Sequence, residues 1–313
     1  MSLQKAYVLS VVVGTLNRLD RLRECIESIV SDASIPIKIY VTDAGSTDGT
    51  IEYLSGIESD SINVTLHQKK LGQAKAYNEI FAKITTPYAC WLSDDNVIVN
   101  QGFEKAVRIL DSNPLIGMVG LKVKDIQGPF AGAPYVGGVS EARILNINQG
   151  VLRTKILQDL RGFREEFMDY GIDPDLSTRV LYAGHDIVYT KDVVVLHWRD
   201  WGESYALRAQ MAKQERYKAL YREKYLRDGS QGHLNWLLFR FVGGIKRMLT
   251  KLFWLLGIAR GEHWARDWYN ILLGRYISLF DPIRSIGKEF HLLQRCDRKT
   301  VEYYASRPHQ GRR

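Results

Sequence analysis

The first hundred residues alternate short apolar runs with segments whose apolar positions recur every three or four residues. Residues 7–13 form a continuous apolar run, which predicts a strand, and 14–18 break it in a turn. Leu19, Leu22, Ile26, Ile29 and Val30 then follow at helical spacing. Residues 37–41 predict a second strand that runs into the polar turn TDAGSTDGT (42–50). A short helix over 50–54, a strand over 62–66 and a helix over 73–84 deliver the chain to an apolar run at 88–92. Such alternation predicts an α/β fold whose strands are parallel and joined by right-handed crossovers.

The run at 88–92 carries the first chemical signal. YACWLSDDN (88–96) is short, apolar and aromatic, and stops in Ser93, Asp94, Asp95 and Asn96. In an open α/β sheet, ligands bind outside the carboxyl ends of the strands. Hard oxygen donors on a short turn suit Mg²⁺ or Mn²⁺ together with phosphate. Taken alone, the same four residues also suit a turn that caps a strand.

Composition adds little beyond size. The 313 residues are 45% hydrophobic and 25% charged, as in an ordinary globular chain with a substantial core. Cys25, Cys90 and Cys296 lie far apart without a CxxC pair, which fits a reducing compartment. Lys5 followed by the apolar run 6–16 resembles a signal peptide, but no small-residue cleavage site follows, and the run reads as the first strand. No run approaches the roughly 20 apolar residues of a membrane-spanning helix.

Charge changes the picture more. Of the formal +8, residues 230–313 hold 15 Lys and Arg against 6 Asp and Glu, leaving 28 against 29 in the first 229. A basic tail on a near-neutral body points to an anionic surface met by the tail alone.

VVVGTLNR (11–18), TDAGSTDGT (42–50), LGQAKAYN (71–78) and LSDDN (92–96) occur in this order at the ends of successive predicted strands or the start of a helix. Together they resemble the nucleotide-binding half of family-2 nucleotide-sugar glycosyltransferases, which have the GT-A fold. GFREEFMDYGIDPDLSTRVLYAG (162–184) is similar to that family's acceptor-side segment, and VVVLHWRDWG (193–202) to its closing strand and loop. The resemblance implies a mostly parallel sheet flanked by helices, divided into a nucleotide-sugar half (1–100) and an acceptor half (101–229). Residues 230–313 are then a basic, amphipathic helical extension.

The resemblance also implies roles. Asp43 would accept a hydrogen bond from the pyrimidine ring, with Thr15, Asn17 and Arg18 flanking the nucleoside and diphosphate. Gly72 and the helix N-terminus after it would face phosphate, beside Gln73, Lys75 and Asn78. Asp95 would hold the Mg²⁺ or Mn²⁺, with Ser93 beside it and His197 closing the site, while Asp94 contacts the donor ribose or the metal through water. Ser93 and Asn96 stand where the family often has acids, so the site is one or two charges poorer than its fullest form. Trp198 and Trp201 flank Arg199 in a loop that would close over donor and acceptor. Asp173 would be the general base; the run Asp173-Pro174 also reads as a helix N-cap followed by Pro at the first helical position. Asp175 would stand behind Asp173 on the acceptor side.

Past a Tyr- and Arg-rich helix over 204–227, Asp228-Gly229-Ser230 mark a boundary. Ile245, Met248, Leu249, Leu252, Phe253 and Leu256 then form one apolar stripe, with Lys246, Arg247 and Lys251 opposite. Trp264, Trp268, Ile271, Leu272, Tyr276 and Leu279 repeat the stripe. Apolar and basic faces with interfacial Trp describe a helix lying in an anionic membrane surface; the same stripe also serves packing on the body or an oligomer interface.

The expectation is therefore an inverting glycosyltransferase, cytoplasmic and peripheral on the inner face of the membrane. It would move a UDP- or dTDP-linked sugar to a lipid-linked glycan of the cell surface. A processive polysaccharide synthase is the alternative enzyme, but the Gln-x-x-Arg-Trp motif and the spanning helices of that class are absent from the sequence. A nucleic-acid-binding module would spread its basic charge over the folded body, which this chain does not do.

Overall fold

A computed structural model describes residues 6–127, 131, 134–137, 147–199, 204–225 and 290–294, with isolated positions at 245, 248, 249 and 252. Its first part follows the hydrophobic pattern closely. β1 (Leu9–Thr15), α1 (Leu19–Asp32), β2 (Ile37–Asp43), α2 (Thr50–Ile57), β3 (Ile62–Leu66), α3 (Gln73–Phe81) and β4 (Tyr88–Ser93) succeed one another. β1 lies between β2 and β4, β3 flanks β2, and all three pairings are parallel.

The second part adds mixed pairings to the same sheet. β5 (Asn96–Ile98), α4 (Gly102–Ser112), β6 (Ile116–Asp125), β7 (Pro134–Tyr135), β8 (Gly150–Arg153), α5 (Thr154–Asp159), α6 (Ile172–Tyr182), β9 (Asp186–His197) and α7 (Ser204–Tyr225) follow. β8 joins β4 and β6 antiparallel to both, and β6 runs parallel to β9. One sheet thus crosses the boundary at residue 100. β10 (Phe290–Gln294) pairs antiparallel with the outer edge of β9, so part of the tail returns to the sheet as a strand that helical periodicity did not foresee.

β1 and β4 are mostly apolar and buried at nearly every position because both faces of the sheet are covered. Val11, Val13, Cys90 and Leu92 pack on one face with Leu22, Ile29, Phe103 and Leu110 of α1 and α4. Val12, Ala89 and Trp91 pack on the other with Tyr77 of α3, Leu157 of α5 and Leu176 of α6. Burying a side chain of this size contributes roughly 1.5–3 kcal/mol. The strand ends are thereby fixed between two layers of helices.

Tyr77 then braces the carboxyl ends of β1 and β4. Its hydroxyl donates to the Leu92 carbonyl at 2.6 Å and accepts the Gly14 N–H at 2.8 Å. Position 14 must be glycine for this contact: a Cβ there would stand 2.7 Å from the Tyr77 ring.

Candidate active site

At the carboxyl end of β4, Asp94 and Asp95 are buried together. Arg18, just past β1, donates through Nη1 to Asp94 at 3.1 Å and to Asp95 at 3.0 Å. Thr15 donates its hydroxyl to the other oxygen of Asp94 at 2.8 Å. His197 ends β9 opposite Asn96, which puts its Nε2 3.4 Å from Asp95 Oδ1. Its Nδ1 lies 2.9 Å from Asp125 Oδ1, at the end of β6, and the Tyr135 hydroxyl donates to that same oxygen at 2.7 Å. Five strands, β1, β4, β6, β7 and β9, therefore deliver one polar cluster.

Its ionisation follows from this arrangement. Burial pushes Asp94 up to about 6, with Arg18 working against it and Asp95 with it. Burial acts on Asp95 in the same direction, but the hydrogen bond and charge of His197, with Ser93 and Arg18, bring it down to about 2. Burial alone would lower His197; the hydrogen bonds and charges of Asp125 and Asp95 raise it to about 9.

Among the described residues, no group of three or more His, Cys, Asp or Glu side chains is arranged to hold a metal ion. Asp95 and His197 nevertheless fit one as a pair, since donors 3.4 Å apart can share an ion with bonds of about 2.1 Å. Buried Asp125 Oδ2 and Asn96 Oδ1, close to this pair in the same cluster, have no hydrogen-bond partner. One carboxylate and one imidazole suit Mn²⁺ better than the all-oxygen shell that Mg²⁺ favours. Asp125 on His197 Nδ1 is the kind of carboxylate that fixes a ligating imidazole in one tautomer.

Asp173 belongs to the other face. It lies in the first turn of α6, with its carboxylate oxygen Oδ1 3.2 Å from the Trp91 indole nitrogen of β4, which donates to it. Burial pushes it up to about 8, against the lowering effect of that hydrogen bond. The expected N-cap role is corrected. Gly171, at φ 82°, is the N-cap and Ile172 the first helical residue. A side chain at 171 would collide with the Tyr217 ring, so only glycine can make this turn. Freed from capping, Asp173 turns its carboxylate to Trp91.

Other expected site residues have structural partners here. Asp43 accepts from the Gly45 and Ser46 amides, each at 2.9 Å, and from the Ser46 hydroxyl, so it closes its own turn. Asn17 accepts from the Thr47 amide at 2.7 Å, tying the first loop to the second. The N-terminus of α3 after Gly72 is already engaged. Asp169 accepts the Gln73 amide at 2.8 Å, and Met168 O accepts that of Ala74. Lys75 is exposed, and Asn78 clamps the backbone of Phe163 through both ends of its amide. Asp175 is fully buried and held by Arg179 at 2.7 Å and the Tyr225 hydroxyl at 2.6 Å, which fastens α6 to α7. The Trp198 ring lies 4.4 Å from the Arg21 guanidinium and packs against α1. Trp201 and most of the 230–313 segment fall outside the described residues.

Sequence reasoning missed Trp91, Asp125, Tyr135 and Asp169. Asp125 had a usable signal: like Asp95, it ends an apolar strand in a carboxylate. The other three are defined only by long-range contact.

A curled sheet of this order, with flanking helices and a carboxylate pair at the end of its fourth strand, defines a GT-A glycosyltransferase fold. Residues 10–160 match the family model Glycosyl transferase family 2. It is similar to YibD of Escherichia coli K12, named an uncharacterized glycosyltransferase, at 25% identity over 78% of this chain and 70% of YibD. An uncharacterized glycosyltransferase of Nostoc sp. PCC 7120 is 23% identical over 36% of this chain; the match spans only 35% of that protein. Among solved structures, the mannosyltransferase PcManGT of Pyrobaculum calidifontis, in complex with GDP-Man and Mn²⁺, has a TM-score of 0.54 at 20% identity. That match covers 72% of this chain and 66% of PcManGT. TarS residues 1–349 of S. aureus has a TM-score of 0.52 at 16% identity, covering 86% and 91%.

Proposed function

We propose that this chain is an inverting glycosyltransferase that moves a sugar from a nucleotide-diphosphate donor to a hydroxyl of a lipid-linked glycan. The product would enter a cell-surface polysaccharide such as O-antigen, capsule or cell wall. The observation that carries this reading is the junction of two carboxylate sites on one strand. β4 holds Asp173 through Trp91 and ends, three residues on, in Asp94 and Asp95. A nucleotide-sugar laid across the strand end would have its diphosphate near Arg18 and Asp95 and its anomeric carbon toward Asp173.

The acceptor hydroxyl attacks the anomeric carbon as its proton passes to Asp173, and the bond from that carbon to the diphosphate oxygen breaks. One displacement inverts the configuration. A carboxylate with a raised pKa is the stronger base and suits the weakly acidic sugar hydroxyl. Asp95 and His197, with Ser93 beside them, would hold a divalent ion, which when bound supplies Lewis-acid stabilisation of the departing diphosphate. Arg18 would contribute positive charge to the same oxygens.

The acceptor and the membrane are inferred from the tail. Its nine surplus positive charges accompany exposed helical positions Ile245, Met248 and Leu252, at 41%, 64% and 46% exposure and all on one stripe. Among the described residues, no helix is long and apolar enough to cross a membrane. Peripheral attachment at the cytoplasmic face agrees with both observations.

The test is to screen UDP-, dTDP- and GDP-sugars for hydrolysis and transfer with Mg²⁺ and Mn²⁺, and to determine the anomeric configuration of the product. A single preferred base, metal-stimulated turnover and inversion are expected. Retention of configuration, or no turnover with any of the donors, would overturn the reading.

A further inference from the structure

Trp91 does more than fill the core. It is 2% exposed, it stacks edge-on against Phe163 with centroids 5.6 Å apart, and Gly150 lies against its ring. Held on these sides, its indole N–H has one direction to point. It points at two acceptors, the Asn148 carbonyl at 3.0 Å and Asp173 Oδ1 at 3.2 Å.

We propose that Trp91 is the positioning residue of the reaction: its N–H fixes the Asp173 carboxylate toward the acceptor and favours the ionised form. The proposal rests on Asp173 as the base. A hydrogen bond to the charged form stabilises that form, and here it acts nearly alone. Burial and this N–H set the ionisation of Asp173, and no charged side chain among the described residues contributes. Asp175, two residues on, is held by Arg179 and Tyr225, while Asp94 and Asp95 are held by Arg18. Without the indole donor, the ionised fraction of the carboxylate at neutral pH would fall about tenfold, and its rotamer would no longer be fixed.

Trp91→Phe keeps a ring against Phe163 and removes the donor. The midpoint of kcat/KM against pH should move up by about one unit, lowering activity about tenfold at pH 7 and little above pH 10. The KM for the donor should stay within about twofold. A structural role alone would lower activity equally at every pH. A second measurement does not depend on that variant folding. Of the seven tryptophan indole ¹⁵N–¹H signals of the whole chain, one should titrate with Asp173, and its titration should vanish in Asp173→Asn. The inference is overturned if Trp91→Phe leaves the pH midpoint in place, or if no indole signal loses its titration in Asp173→Asn. An Asp173→Asn enzyme with normal turnover would instead overturn the assignment of the base, whatever the indole signals do.

Discussion

Replacing Asp173 by Asn should make the protein more stable and nearly inactive at once. Burial holds the Asp173 carboxyl at about 8, whereas an unfolded chain ionises it from 3.8. At pH 7 the folded state must therefore keep protonated a group that water would ionise, across about three pH units. At 1.36 kcal/mol per unit this costs on the order of 4 kcal/mol. The position is only half-buried, so a realistic gain for the neutral amide is about 1–3 kcal/mol, or roughly 3–8 °C in Tm. The sign follows from the raised pKa. The two proteins should be equally stable below pH 3.8, and the Asn variant should gain steadily from there to pH 8, then no further. Asn still accepts the Trp91 N–H, so the geometry survives while the base does not. Turnover should fall about 10²- to 10⁴-fold with donor binding nearly unchanged. Calorimetric melting at pH 5, 6, 7 and 8, with single-turnover assays on the same samples, measures both effects. A variant no more stable than wild type at pH 8 would refute the buried-carboxyl reasoning, and near-normal transfer would refute the base.

Asp95→Ala should abolish metal-dependent nucleotide affinity, measured by calorimetry with UDP and Mn²⁺; an unchanged affinity would remove Asp95 from the site. His197 at about 9 must lose a proton to bind Mn²⁺, so Mn²⁺ affinity should rise from pH 6.5 to 9, and this slope should flatten in His197→Gln. In the metal-free protein the raised pKa works the other way: its stabilisation is full below pH 6.5 and is lost as pH rises through about 9, so wild type and His197→Gln should melt together above that. Deleting 230–313, or changing Lys246, Arg247 and Lys251 to Glu, should release the protein from anionic vesicles, and wild-type binding should weaken with salt. Equal sedimentation of wild type and the charge-reversed variant would favour the packing or oligomer alternative.

The first hundred residues were legible because their signals are local. The apolar runs of β1, β2 and β4, the helical spacing of α1 and the polar turns after each strand all lie within windows of ten or so residues. The carboxylate pair after β4 was visible for the same reason. What stayed hidden depends on separation along the chain. Asp169 caps α3 from 96 residues away, and its role could not be read from the glycine and helix it serves. Asp173 illustrates the opposite error. Asp followed by Pro is a strong local N-cap pattern, yet Gly171 two residues earlier takes the turn, because Tyr217 of α7 leaves space for nothing larger.

Three carboxylates gather around one strand, two just past its end and one on α6 against its Trp91, and their surroundings give them different states at neutral pH. Asp94 and Asp95 are adjacent, buried to a similar degree, and share Arg18, so burial and Arg18 do not distinguish them. His197 does, since it approaches Asp95 and leaves Asp94 to Thr15. Asp95 thus stays charged at about 2, ready for a cation, and Asp94 sits near 6. Among the described residues no cation acts on Asp173, only the Trp91 N–H, and burial raises it to about 8. Pairs of titratable groups driven apart by their environments mark a division of labour between charge-holding and proton transfer. The division depends on the parting of β4's two faces. Trp91 points to the α6 side, while the strand's end turns the aspartate pair toward β9, so the proposed base is kept clear of Arg18 and His197, the cations that hold that pair and would otherwise weaken it.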